Sequence, residues 1–171
     1  MSYFASMLDK KLFYINGKWV PSMETKTIKV IDPSNEEVCA EISLGGKKDV
    51  DNAVGAAKKA FESWAFTSKD ERLELLEKLY VIYKKRWAEM AKLISLEMGA
   101  PMKFSTEMQA ATGASHIKSF KNILKDFKFE KDLGEEQNNQ KLLYEPKDVC
   151  TLITPWNWPL SQVNLKGIPA L

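Results

Sequence analysis

The sequence predicts an α/β chain in which β-hairpins come first, helices follow, and a strand covered on both faces comes near the end. Three patterns predict it. Asn16-Gly17 divides two apolar-rich runs, which is a hairpin signature. From Val50 onward apolar residues recur every three or four positions, the helical period. Residues 149–153, VCTLI, form a short uninterrupted apolar run bounded by turn residues, as a strand inside a parallel sheet does.

The opening stretch FYINGKWV sets Asn16-Gly17 where a two-residue turn needs positive φ at both positions. TIKVI and EVCAEISL flank the turn residues Asp32-Pro33-Ser34-Asn35 and predict a second hairpin, with Val38, Ala40 and Ile42 alternating onto one face. Gly45-Gly46 ends it. Asp49 is expected to cap a helix whose apolar stripe is Val50, Ala53, Val54, Ala57, Phe61 and Trp64. Ser68 and Glu71 have the spacing of a capping box and open the next helix. Its stripe continues through Tyr83 to Ile94, long enough to predict a break between Lys84 and Trp87, and Gly99 followed by Pro101 terminates it. A third helix is expected over about 106–124, with Ala and Gly on one side suited to close packing.

FKFE and QKLLYE flank the polar loop GEEQNNQ and predict an exposed hairpin. After VCTLI comes TPWNWPL, in which Pro159 stands at the first position of a new helix, where a missing N–H costs nothing. Pro155 and Pro159 fix their own φ and restrict the residues before them, so the segment holding Trp156, Asn157 and Trp158 is stiff. It lies at the carboxyl end of the predicted buried strand, where open α/β sheets bind ligands. Asn157 there has two readings. One is a turn residue that hydrogen-bonds local backbone. The other is a fixed donor aimed at an oxygen that becomes negative during a reaction.

Composition excludes several classes. With 25 Lys and Arg against 23 Asp and Glu, a net charge of +2 gives no basic face for nucleic acid; Lys84-Lys85-Arg86 reads as a solvated helix face. No window reaches the roughly 20 apolar residues of a membrane span, and MSYFASMLDKKLFYING lacks the features of a signal peptide. Cys39 and Cys150 make no disulfide framework, which fits a cytoplasmic protein. Cys150 lies seven residues before Asn157, roughly 20 Å away along an extended chain, so neither cysteine is expected to act as a nucleophile. His116, the sole histidine, has no Cys, Asp or Glu pattern around it for a triad or a metal, and no G-x-G-x-x-G is present.

Six ordered blocks resemble the N-terminal third of the aldehyde dehydrogenase superfamily, over nearly the whole chain. They are INGKWV (15–20), IDPSNEEV (31–38), DVDNAVGAAKKAFESW (49–64), ERLELLEKL (71–79), LISLEMGAP (93–101) and ITPWNWPL (153–160). The last is the most specific, because the family pattern is P-W-N followed by an aromatic, Pro and Leu. The resemblance implies the front part of that fold: hairpins, a helical segment and the first strand of a Rossmann-like parallel sheet, truncated. It divides the chain into 1–126 (the front of the cofactor-binding domain), 127–146 (part of an oligomerisation hairpin) and 147–171 (an incomplete start of the dinucleotide-binding sheet).

The resemblance also implies chemistry. In the family a cysteine thiolate attacks an aldehyde, an asparagine carboxamide and a backbone amide hold the resulting oxyanion, hydride passes to NAD or NADP, and a glutamate-activated water cleaves the thioester. Asn157 matches the oxyanion asparagine. Ile153, Thr154, Pro155 and Trp156 match positions lining the nicotinamide side of the cofactor cleft; no metal is implied. Lys166 falls on a lysine common in the following helix, with no chemistry assigned. The nucleophilic cysteine and the base glutamate are expected beyond Leu171, so the 171 residues alone are expected to be inactive. The full-length form is expected to be a homodimer or homotetramer acting on a small aldehyde. The alternative is a non-catalytic association module, because hairpins like those around 127–145 pair between subunits in the family. Two turns depart from the family pattern, with Glu36 and Asp148 standing where glycine is usual.

Overall fold

The computed structural model describes residues 9–134 and 140–171. The reading of the extreme N-terminus and the tip of the polar loop therefore lie outside the described residues. The elements run β1 (Asp9–Lys10), β2 (Leu12–Ile15), β3 (Lys18–Pro21), β4 (Thr27–Ile31), β5 (Val38–Ser43), α1 (Lys47–Trp64), α2 (Lys69–Lys85) and α3 (Trp87–Met98). A short helix α4 (Met102–Phe104) runs through a π-helical stretch, Ser105–Ala110, into α5 (Ala111–Asp126). Then come β6 (Glu130–Asp132), β7 (Lys141–Leu143) and α6 (Pro159–Ala170).

Strands β2 and β3 pair antiparallel with Ile15 opposite Lys18, and the turn between them takes φ of 52° at Asn16 and 74° at Gly17. Both angles lie in the left-handed region that this residue pair tolerates best. In the second sheet, order β1-β5-β4, the antiparallel register passes from Val30 opposite Ala40 to Ile31 opposite Val38, which leaves Cys39 as an extra residue. This bulge breaks the expected alternation. Val38 is 53% exposed and Ile42 39%, so they do not form a covered face, whereas Cys39 is half-buried. In the connecting turn Glu36 takes φ 61°, held by its N–H on the Asp32 carbonyl at 2.8 Å.

Helix α1 starts earlier than expected. Gly46 is its N-cap and Asp49 is the third helical residue, not the cap. The Asp49 carboxylate accepts from the N–H of Gly46 (3.0 Å), the N–H of Met23 (2.8 Å) and the hydroxyl of Ser22 (2.9 Å), tying β3's exit to the helix start. Those hydrogen bonds, the Gly46 and Met23 amides foremost, hold its pKa below the ordinary aspartate value. A depressed carboxyl stabilises the fold above its unfolded pKa and loses that contribution as pH falls through the folded one. Acid is therefore expected to cost the wild type stability relative to Asp49→Asn below about pH 4. Denaturation of both from neutral pH downward checks this; a constant difference between them contradicts it.

The capping box, the break in the long stripe and the glycine stop are found where expected. Ser68 and Glu71 cap each other, with the Glu71 N–H on Ser68 Oγ at 3.2 Å and the Ser68 N–H on Glu71 Oε2 at 2.9 Å. The long stripe breaks at Arg86, whose φ of −97° and ψ of 6° separate α2 from α3. Gly99 closes α3 at φ 69°, and a Cβ there would meet Pro33 Cγ at 2.7 Å, so both backbone and space require glycine.

Leu76 and Tyr83 of α2, Ala114 and Ile117 of α5 and Ile168 of α6 form the buried core. At Gly113 a side chain would meet Tyr83 Oη at 2.3 Å; glycine lets α5 approach its neighbours this closely. The expected third helix is interrupted by the π-helical stretch, and its neighbours supply a cause. The Trp87 indole N–H donates to the Thr106 carbonyl at 3.1 Å, and the Tyr83 hydroxyl to the Ala110 carbonyl at 2.8 Å. Side chains of α2 and α3 thus engage two carbonyls of the widened turn, as side chains that enter a helix ladder do. Burial pushes the Tyr83 phenol far above its ordinary pKa, so it stays a donor.

Hairpin β6–β7 forms as expected, with Glu130 opposite Leu143. The run VCTLI does not form a strand. Residues 149–153 carry no ladder pairing among the described residues, and Leu152 and Ile153 are 45% and 80% exposed. A parallel strand is made by the strands on either side of it, and none of the described residues pairs with this run. The expected first strand of a Rossmann-like sheet is therefore an exposed, unpaired segment in this chain.

Candidate functional site

The segment 153–158 joins that unpaired run to α6. Pro159 is the first residue of α6 and the Gln162 N–H closes the first turn on the Trp158 carbonyl at 2.9 Å. Helix α6 is seated on α5 at three points. Asn164 Nδ2 donates to the Gly113 carbonyl at 3.1 Å, His116 Nε2 and Ser161 Oγ share a hydrogen bond of 3.0 Å, and Leu160 and Ile168 pack on the core. His116, expected to serve neither a triad nor a metal, thus fastens the helix following the motif.

The motif itself rests on the π-helical region. The Trp158 ring meets Phe104 edge-on, centroids 5.7 Å apart, and Gln109 Nε2 donates to the Asn157 main-chain carbonyl at 3.5 Å. Lys166 Nζ donates to the Ile153 carbonyl, holding the segment back along α6. The Asn157 side chain is exposed, and its carboxamide has no hydrogen bond among the described residues. The local-backbone reading of Asn157 therefore lacks the bond it requires. The positive end of the α6 macrodipole lies beside it.

Of the residues matched to the cofactor side, Ile153 is 80% exposed and Trp156 82%, and Thr154 and Pro155 are exposed too. The structure brings 153–157 onto one continuous stretch at the α6 entrance, but it does not enclose them. A concavity of about 350 Å³ lies between Asn16-Gly17 and the alanine face of α1, and another of about 380 Å³ beside Lys128 and Asp132; neither includes the motif. The expected cleft is an open face among the described residues.

No cysteine is brought to Asn157. Cys39 Sγ lies 3.5 Å from the Val30 carbonyl, and burial raises the thiol above its ordinary pKa, so it is a thiol rather than a thiolate. Cys150 is exposed, with Sγ 3.7 Å from the Asp148 carbonyl. Sequence reasoning missed Gln109: a glutamine inside an Ala-rich helix carries no motif, and only the fold sets it under Asn157.

Residues 19–171 match the aldehyde dehydrogenase family, and the chain belongs to that family. A 3-succinoylsemialdehyde-pyridine dehydrogenase of a Pseudomonas species is 44% identical over 96% of this chain and 34% of its own length. An aldehyde dehydrogenase of Bartonella henselae, known from its crystal structure, is 52% identical with a TM-score of 0.92, over 96% of this chain and 34% of that one. Aldehyde dehydrogenase C of Pseudomonas syringae, a mutant crystallised with NAD+ and octanal, is 37% identical with a TM-score of 0.90, over 94% of this chain and 32% of its own. The chain thus spans about a third of the length of the relatives it matches. None of its helices among the described residues is long and apolar enough to cross a membrane.

Proposed function

We propose that these residues form the N-terminal segment of an NAD(P)-dependent aldehyde dehydrogenase and that Asn157 is its oxyanion donor. The observation that carries the proposal is the Asn157 carboxamide itself: bracketed by prolines, exposed, and without a hydrogen bond among the described residues. In this reading a cysteine thiolate from the rest of the enzyme adds to the aldehyde carbon, the carbonyl π pair moves to oxygen, and Asn157 Nδ2–H donates to the oxygen as it charges. A fixed amide donor of this kind contributes about 3 kcal/mol to the transition state once water is excluded.

The residues before it fit a nicotinamide cofactor. Ile153 and Trp156 offer exposed apolar surface to a planar ring, and the stiff segment fixes that surface relative to Asn157. When bound, NAD+ or NADP+ supplies the hydride acceptor. The role of 153–156 is to position that ring and keep water from the aldehyde carbon.

The same proposal covers the assembly and its setting: a cytoplasmic homodimer or homotetramer, with 127–146 contributing to the subunit contact. Exposed Leu133, Leu142, Leu143 and Tyr144 around hairpin β6–β7 support that contact. They also favour the second reading, an association module without activity. Steady-state NAD+ reduction with an aliphatic aldehyde separates the two. The full-length protein carrying these residues is expected to turn over and the 171-residue chain to show no turnover. Turnover by the 171-residue chain contradicts the proposed division of labour, and an inactive full-length protein supports the association module.

A further inference from the structure

Gln109 combines three features that an ordinary core residue does not. It is only 1% exposed yet polar. It sits in a π-helical turn, a form that recurs at functional sites. Its amide is split: Nε2 reaches the Asn157 main-chain carbonyl at 3.5 Å and Met98 Sδ at 3.9 Å, whereas Oε1 is buried without any hydrogen-bond partner among the described residues. A buried acceptor left unmade destabilises a fold, so an apolar side chain of the same shape would serve packing better. What the glutamine adds at this position is a donor, and that donor meets the main chain of the asparagine.

We infer that Gln109 is a positioning residue for Asn157: it holds the Asn157 carbonyl from below, through the widened turn, so that the carboxamide above is presented in one orientation. The inference rests on the oxyanion role proposed for Asn157. The wide turn supports it geometrically. Trp87 and Tyr83 engage carbonyls on either side of Gln109, at Thr106 and Ala110, and so fix the backbone from which its side chain reaches across to Asn157, just ahead of α6. Phe104 at the start of the turn clamps Trp158, the next residue along, so the motif is gripped by ring contact on one side and by the amide on the other.

The test uses the full-length enzyme and two substitutions, Gln109→Met, which keeps length and removes the amide, and Gln109→Asn, which keeps the amide and withdraws it by one methylene. Both are expected to lower kcat roughly 10- to 100-fold, the cost of an ångström-scale misplacement, with the KM for aldehyde and the Kd for NAD+ within about twofold. Gln109→Met is also expected to keep or raise Tm, because the orphaned oxygen leaves with the amide. A packing role instead lowers Tm and leaves the kcat of the folded fraction intact. Wild-type kcat in either folded variant, or failure of both to fold, overturns the inference. Asn157→Ala is measured alongside. If it too leaves kcat unchanged, the oxyanion reading itself is wrong; if it abolishes turnover while the Gln109 variants do not, only the positioning role is lost.

Discussion

Asn157→Ala in the full-length enzyme is expected to lower kcat by roughly 10²- to 10³-fold, equivalent to about 3–4 kcal/mol of transition-state stabilisation. Tm and the Kd for NAD+ are expected to stay at wild-type values. The separation follows from where the side chain is. It is exposed and makes no hydrogen bond within the described residues, so its removal leaves no polar partner there unsatisfied. A donor used only as charge appears on the substrate oxygen affects kcat and kcat/KM together and spares ground-state binding. Asn157→Asp is expected to be at least as damaging, since a carboxylate repels the developing oxyanion. Steady-state kinetics with a thermal melt on each variant checks this, and a kcat within about twofold of wild type removes Asn157 from the chemistry.

Ile117→Ala is expected to cost about 3 kcal/mol of stability, within the range for emptying a fully buried aliphatic site. Ile117 is 0% exposed and packs among Leu76, Tyr83, Ala114 and Ile168, so it joins α2, α5 and α6. Removing it leaves a cavity under the helix that carries the motif. Its signature is the reverse of the Asn157 variant: denaturation midpoint and activity fall together, because α6 loses its seat. Urea denaturation of the variant checks the magnitude, and a loss under about 1 kcal/mol would mean that the core closes around the gap.

Much of the front of the chain was legible because its signals are local. Asn16-Gly17 dictates a turn through its own backbone preferences, Ser68 and Glu71 satisfy each other's amides, and Gly99 ends α3 where left-handed geometry is needed. The misreadings arise where the deciding partner is distant in sequence. Asp49 suits a cap by residue type, but its carboxylate reaches back to the Gly46 N–H and out to Met23 and Ser22, and only the last two contacts are distant in sequence. The bulge at Cys39 depends on the register with β4, which alternation alone does not reveal. The π-helical turn depends on Trp87 and Tyr83 engaging carbonyls, and nothing between 105 and 110 announces that.

The VCTLI run shows a different limit. Its composition suits a strand covered on both faces, and the residues are as apolar as such a strand requires, but pairing is a property of neighbours. Without them Ile153 and Trp156 lie open, and the cleft that the motif implies has one wall. The motif's own geometry does not depend on those neighbours. Pro159 starts α6, Phe104 meets Trp158, and Gln109 reaches Asn157, all within this chain.

The most direct measurement is a crystal structure of the full-length protein trapped with cofactor and an aldehyde-derived adduct, read at one distance. Asn157 Nδ2 is expected at about 2.7–3.1 Å from the oxygen that was the aldehyde carbonyl, with Gln109 Nε2 still on the Asn157 main chain. An adduct oxygen held by other donors, with the Asn157 side chain turned to solvent, contradicts it.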